Sequence, residues 1–223
     1  MSEPPRGVEA VERALALLEA FEEPGRPLGL SDLSRRCGLA KSTTLRIAVS
    51  LIRRGFLVRQ EDGRYRLGPA LWRLGAAYRA GLQPAETIRP ILARLSEATG
   101  ETASFYVRDA GRRICLYRHE PRRSIRHAIT EGAAMPLDGG ASALVLRAWL
   151  DNAPDLAEVR ARGHAESRGA RDPDVAAIAV PVLRQGTLLG ALALSGPLSR
   201  FDATTTGERL AALHAASGAI ADA

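Results

Sequence analysis

The stretch from Leu30 to Arg66, LSDLSRRCGLAKSTTLRIAVSLIRRGFLVRQEDGRYR, limits the possible folds of this chain more than any other. Ser31 followed by Asp32 supplies a side-chain acceptor and an acid, both suited to a helix N-terminus. Leu33 and Cys37, four apart, make one apolar stripe, and Gly38 can take the left-handed position that ends the helix. A second helix is expected from Lys41 to about Arg54, closed by Gly55. In it Leu45, Val49 and Ile52 fall at i, i+4 and i+7 and are expected to point inward, with Ala48 and Leu51 widening the stripe. Ser42, Thr43, Arg46, Ser50 and Arg53 are left on the opposite side. Two helices joined by a short glycine-bearing turn form a helix-turn-helix. Phe56-Leu57-Val58, the turn Glu61-Asp62-Gly63 and Arg64-Tyr65-Arg66-Leu67 then read as a hairpin, which makes the motif a winged helix. Tyr65 suits packing beneath that wing.

Charge says what such a motif could meet. From Arg35 to Arg66 nine cationic side chains stand against Glu61 and Asp62 alone, a net +7, where the whole chain carries +6. Up to Ala80 the chain is +5 and beyond it only +1. A cationic helix bearing Ser and Thr at its N-terminal end suits phosphate oxygens and base edges in a major groove. Double-stranded DNA is therefore the expected partner of the first part. Ser42, Thr43, Thr44 and Arg46 are the expected base or phosphate contacts, with Lys41 on a phosphate near the helix start. Arg53 and Arg64 would add phosphate contacts that weaken with salt.

Before this motif, Val8, Val11, Ala14, Leu15, Leu18 and Phe21 give a helical period, broken at Pro24-Gly25. Met1 to Gly7 reads as a frayed tail. After the wing, Gly68-Pro69 starts a helix with Leu71, Trp72, Leu74, Ala77 and Tyr78 mostly on one side. Pro84 opens another, whose stripe is Ile88, Ile91, Leu92 and Leu95. Strands are expected over Thr102 to Asp109, Arg112 to Glu120 and Ile125 to Thr130, and a loop over Gly132 to Pro136. A helix is expected over Asp138 to Leu150, and Asp151 to Asp174 reads as the least structured part. Val175 to Leu183 and Leu188 to Ser195 form a hairpin, and Thr204 to Ile220 a closing helix. That order is an α+β domain with a mainly antiparallel sheet. Two cysteines without a CxxC pair, an N-terminus without an apolar run and no membrane-length segment fit a cytoplasmic protein with no membrane partner.

The chain resembles the IclR family of bacterial transcriptional regulators. The resemblance rests on Val11-Glu12-Arg13-Ala14-Leu15, Leu30-Ser31-Asp32-Leu33, Gly38-Leu39-Ala40-Lys41-Ser42-Thr43, Arg46, Gly55-Phe56 and Tyr65-Arg66-Leu67-Gly68. It continues through Leu74-Gly75, Gly100-Glu101-Thr102, Pro136-Leu137 and Ile178-Ala179-Val180-Pro181-Val182. It implies a winged helix-turn-helix domain over residues 1–68, a linker helix over 69–83 that helps the DNA-binding parts pair, and an effector-binding domain related to GAF and PAS folds over 84–223, shortened around 150–175. It also implies a homodimer or tetramer, acting as a repressor and controlled by a small organic effector. Carried over from the family, the effector contacts would be Gly132, Ala133, Met135, Asp138, Ser142 and Ser195. The chain departs from the family pattern in that region: Asp138 follows Pro136-Leu137 where a histidine is expected, and Ala170 stands where an acid is expected.

Catalysis has no foothold in the sequence. There is no GxSxG, P-loop, GxGxxG or HExxH, and the four histidines lack ligand spacing. No catalytic group, metal or cofactor is expected. The alternative left open is a regulator that needs no effector, or a protein-interaction module with a degenerate sensor domain.

Overall fold

The computed structural model describes residues 7–21, 25–80, 85–123, 129–151 and 153–222. It divides into two compact units, Met1–Leu82 and Gln83–Ala223. The expected tail before Gly7, the break at Pro24 and most of the strand expected over Ile125 to Thr130 lie outside the described residues.

The first unit is built from helices α1 (Glu9–Glu19), α2 (Leu30–Cys37) and α3 (Lys41–Arg53), a ribbon of β1 (Leu57–Arg59) and β2 (Tyr65–Leu67), and helix α4 (Pro69–Ala80). Its core joins Leu17, Leu28, Leu33, Ala48, Leu51, Leu57 and Tyr65. Gly38 ends α2 in the left-handed conformation (φ 65°), and the Leu39 N–H donates back to the Ser34 carbonyl at 3.0 Å. The chain can therefore turn into α3 within three residues. α2 starts at Leu30 with Gly29 as its cap, one residue ahead of the Ser31 signal. In the ribbon Leu57 pairs with Leu67 and Arg59 with Tyr65. Tyr65 is buried, as expected, and its backbone exchanges two hydrogen bonds with Leu28 (2.8 and 2.9 Å), which fastens the ribbon to the segment before α2.

Two apolar stripes sit elsewhere than the sequence suggests. In α3 the buried residues are Thr44, Ala48 and Leu51, while Leu45 and Val49 are 41% and 39% exposed. The true stripe keeps the i, i+4, i+7 spacing but starts one residue earlier, about 100° round the helix. In α1 the fully buried residue is Leu17, and Val8, Val11 and Leu15 are exposed.

The second unit is a six-stranded, wholly antiparallel sheet in the order β5-β4-β3-β8-β7-β6. Its strands are β3 (Thr102–Asp109), β4 (Arg112–His119), β5 (Ala134–Pro136), β6 (Ala165–Arg168), β7 (Val175–Arg184) and β8 (Thr187–Pro197). Helices α5 (Ala85–Thr99) and α8 (Ala203–Ala221) cover one face, and α6 (Ala141–Leu150) with the short α7 (Ala157–Arg162) lies on the other. Strand alternation divides the residues by size. Ile178, Val180, Val182, Leu192 and Leu194 pack toward α5 and α8, whereas Ala177, Ala179, Ala191 and Ala193 face α6. The β7–β8 turn uses left-handed Gln185 and Gly186 (φ 49° and 77°), the pattern of a tight hairpin.

Both edge strands correct the sequence reading. The loop expected over Gly132 to Pro136 contains β5, paired to Arg112–Ile114. The segment expected to be the least structured, Asp151 to Asp174, contains α7 and β6, which pairs with Ala176–Ala179. One buried ionic cluster ties the end of this sheet to α8. The Glu101 carboxylate accepts from Arg200 Nε and Nη2 at 2.7 Å each and from Arg209 Nη2 at 2.9 Å, and the Arg209 guanidinium lies 4.2 Å from the Phe201 ring centre.

Candidate nucleic-acid interface and effector cavity

On α3, the side turned away from Leu51 carries Ser42, Arg46, Ser50 and Arg53, all exposed; Lys41 is exposed at the helix start, and Thr43 is half-exposed at the margin. Among the described residues no carboxylate lies within ion-pair distance of Lys41, Arg46 or Arg53. The helix starts without a side-chain cap, so its first N–H groups face outward together with these cations. Thr43 and Arg46 also line a groove against α1, where Glu9 and Arg13 pair with each other.

Thr44 is a correction. It is wholly buried, and its hydroxyl donates to the Ala40 carbonyl at 3.0 Å, so it serves the interior of the motif and is not available to a partner. Other cations are partly committed as well. Arg36 donates to the Ala20 carbonyl at 2.8 Å, bracing α2 on α1, and Arg35 pairs with Asp32. Arg64 is exposed at the ribbon tip, 3.8 Å from Asp62, whose other oxygen accepts the Arg64 N–H at 3.0 Å and shapes the turn. A cationic ribbon thus stands on a buried tyrosine beside a cationic helix. Such a surface can hold phosphates and present Ser42 and Arg46 to base edges.

The second unit contains a cavity of about 50 Å³ between the sheet and the start of α6. It lies where Ala177 and Ala193 leave room that larger side chains would fill. Its polar lining is Tyr106, Arg113, Ser142, Ser167, Arg171, Asp172 and Ser195. Arg113, on β4, is only 5% exposed; its Nη1 donates to the Gly139 carbonyl, while its Nε is buried with no acceptor. Burial pulls the Arg113 pKa below its ordinary value, Tyr106 and Asp138 oppose that, and the neighbouring Arg171 adds to it. Burial also pushes the Tyr106 phenol up to about 12, so it stays a neutral hydroxyl. The Ser167 hydroxyl accepts the Ala141 N–H at 3.0 Å and so holds the first turn of α6.

Of the six expected effector contacts, the structure brings Ser142 and Ser195 together on this cavity, and the other four do not line it. Gly132 and Ala133 form a turn whose backbone bonds to Cys115 in β4. Met135 is buried in the core beneath α6, with its sulfur against Arg171. Asp138 is exposed.

Residues 10–61 match the model of the IclR helix-turn-helix domain, and residues 77–154 and 153–222 match that of the bacterial transcriptional regulator IclR C-terminal domain. The chain belongs to the IclR family of transcriptional regulators. This IclR-family regulator is 30% identical to the HTH-type transcriptional regulator BhcR of Paracoccus denitrificans, over 87% of its own length and 79% of that protein. It is 27% identical to the HTH-type transcriptional regulator XynR of Escherichia coli, over 87% and 88%. Among solved structures, a Silicibacter protein described as an IclR transcriptional regulator superposes with a TM-score of 0.84 at 29% identity, covering 96% and 95% of the two chains. Where the second unit of the IclR-family regulator is concerned, sequence reading missed Tyr106, Arg113, Ser167 and Arg171. The available signal was Arg113 itself, a cation at an inward position of an alternating strand (burial e-B-i-B-i-B along β4 from Arg112). No helix among the described residues is long and apolar enough to cross a membrane.

Proposed function

We propose that this regulator binds a short palindromic operator as a homodimer or tetramer in the cytoplasm and represses transcription until a small organic effector occupies the second unit. α3 enters the major groove, Ser42, Thr43 and Arg46 contact bases or phosphates, and Lys41 takes a phosphate near the helix start. Arg53 and, on the wing, Arg64 add phosphate contacts. The observation that carries this reading is the exposed face of α3, where three cations without acidic partners among the described residues stand along the helix, Lys41 and Arg46 near Ser42 at its uncapped start and Arg53 at its far end.

α4, inside the linker segment 69–83, supplies the pairing surface. Leu74 and Tyr78, four residues apart, are exposed on one side of α4 and Trp72, 74% exposed, on another, apolar side chains that a second copy can cover. The effector occupies the cavity over α6 and changes operator affinity through that linker, a coupling that acts equally in both directions. Fluorescence anisotropy with DNA from upstream of its own gene, repeated over a range of salt, tests the reading. Operator DNA is expected to bind at least about a thousandfold more tightly than unrelated DNA. Equal affinity for both would defeat it.

A further inference from the structure

Helix α1 sends two opposite charges into the groove it forms with α3. Glu9 in its first turn and Arg13 one turn later pair with each other, and their side chains are 74% and 43% exposed. A glutamate four residues ahead of an arginine is the orientation a helix favours, and the dipole at the helix start favours the glutamate as well. The pair therefore belongs to α1 itself and forms with no partner bound. Across the groove stand Thr43, Arg46 and Ser50 of α3, and Glu9 is the one carboxylate that lines it among the described residues.

Dimensions place this groove relative to DNA. A helix with its side chains is about 10–12 Å across and the major groove about 12 Å wide, so a helix lying there has sugar–phosphate backbone on both flanks. At 3.6 residues per turn, Ser50 and Thr43 lie about 40° and 60° round α3 from Arg46, both toward α1. With Arg46 facing the floor of the major groove, these two residues face one of its walls, and the space beyond them lies between α3 and α1. Ala10 and Ala14 keep the α1 side of that space low. It measures about 400 Å³, near the lower end of volumes that hold drug-sized ligands and so ample for a sugar–phosphate unit.

We infer that a backbone phosphate on this flank replaces the Glu9 carboxylate as the partner of Arg13, so that Glu9 is a brake on DNA affinity. This rests on the reading of α3 as the helix in the major groove and adds a residue that sets how tightly the protein holds any duplex. Off DNA, Arg13 is occupied by Glu9. On DNA it meets a phosphate, and the glutamate is left beside the polyanion without its cation. Phosphates carry no sequence information, so the cost falls alike on every duplex and leaves the choice of operator to the base contacts. An exposed ion pair weighs about 1.4- to fivefold in an equilibrium, which makes this a moderate brake.

The test is fluorescence anisotropy of the full chain on operator DNA and on an unrelated duplex, over a range of salt, with Glu9→Gln, Arg13→Gln and the double variant. Glutamine keeps the size and helix preference of both exposed side chains, and circular dichroism checks the fold. Glu9→Gln is expected to bind both duplexes about three- to fivefold more tightly for each winged helix bound at about 0.1 M salt. Its slope of log affinity against log salt should steepen by about 0.9 for each winged helix, because Arg13 then neutralises a phosphate with no acid beside it. Arg13→Gln should weaken binding to both duplexes and flatten the slope. In the Arg13→Gln background, Glu9→Gln should give a smaller gain than it gives alone, since no cation remains to be released. A pair that only stabilises α1 would move the melting temperature and neither the affinity nor the slope.

Unchanged affinity and slope in Glu9→Gln, or full affinity in Arg13→Gln, overturns the inference. So does an equal gain from Glu9→Gln with and without Arg13, which would make Glu9 a plain repulsive charge. A gain confined to the operator also overturns it and would make Glu9 a reader of bases. If the unaltered protein holds both duplexes equally, the sequence-specific reading falls, while the variants measured on unrelated DNA still decide the role of Glu9. No binding to either duplex sinks both.

Discussion

Single side chains separate what this protein shows to DNA from what it keeps for itself. Arg46 is exposed and without an acidic partner among the described residues, so Arg46→Ala should weaken operator binding by about 1–3 kcal/mol, whereas Thr44→Val, changing a buried hydroxyl, should leave the affinity within about twofold. Anisotropy titrations of both variants on one duplex check the pair. Glu101 is the opposite kind of residue, buried under Arg200 and Arg209 with every oxygen bonded. Glu101→Gln removes the charge that two guanidiniums share and should cost about 3 kcal/mol in thermal or urea unfolding. Asp202 caps α8 through a reciprocal box with Thr205. The Thr204 hydroxyl, then the Thr205 N–H and hydroxyl, lower its pKa from 3.8 to about 2. A lowered carboxylate pKa stabilises the fold above the ordinary value, and that contribution disappears as the pH falls through the folded value. The melting-temperature gap between the unaltered protein and Asp202→Ala should therefore be full at neutral pH and shrink between about pH 4 and pH 2.

At the scale of elements, the winged helix depends on a close backbone approach at its base. The Gly68 N–H donates to the Phe56 carbonyl at 2.7 Å, and a Cβ on Gly68 would stand 2.2 Å from the Gly55 carbonyl oxygen. Gly68→Ala should open the foot of the ribbon, destabilising by about 1–3 kcal/mol and loosening the wing, measurable as faster amide exchange in β1 and β2. This motif was legible in the sequence because its signals are local: Gly38 for the turn, Gly55 for the helix stop, Asp62-Gly63 for the hairpin. The face of α3 was not. Leu45-Val49-Ile52 and Thr44-Ala48-Leu51 obey the same spacing one residue apart, and hydropathy favours the first. The second wins because Thr44 satisfies its own hydroxyl on Ala40 and the small Ala48 lets the helix pack closely in the core. The edge strands β5 and β6 were unreadable for another reason. Each is three or four residues long, β6 in a polar segment and β5 between a glycine and a proline, and only pairing with Ala176–Ala179 or Arg112–Ile114 makes it a strand. The cavity proposed for the effector was partly legible, since Ser142 and Ser195 come from the family pattern, whereas Arg113 lines it through the pleat of β4.

For the whole molecule the decisive quantity is how many heads meet the operator at once. A single winged helix neutralises few phosphates; two heads on one palindrome double that number and steepen the salt dependence, log affinity falling by about 0.9 for each phosphate neutralised per decade of salt. Joining the heads also turns the second encounter into an intramolecular one, which raises the overall affinity by orders of magnitude without any new contact to the DNA. α4 is the element proposed to join them, because Trp72, Leu74 and Tyr78 are exposed apolar side chains outside the core of the first unit. Replacing Trp72 and Tyr78 by Ser should leave each winged helix folded, since neither side chain belongs to that core. The doubly substituted protein should sediment as a smaller species than the unaltered chain at micromolar concentration. Its affinity for a full palindrome should fall to that for a half-site, and the slope of log affinity against log salt should be halved. An unchanged sedimentation coefficient with an unchanged salt slope would place the pairing surface elsewhere than on α4.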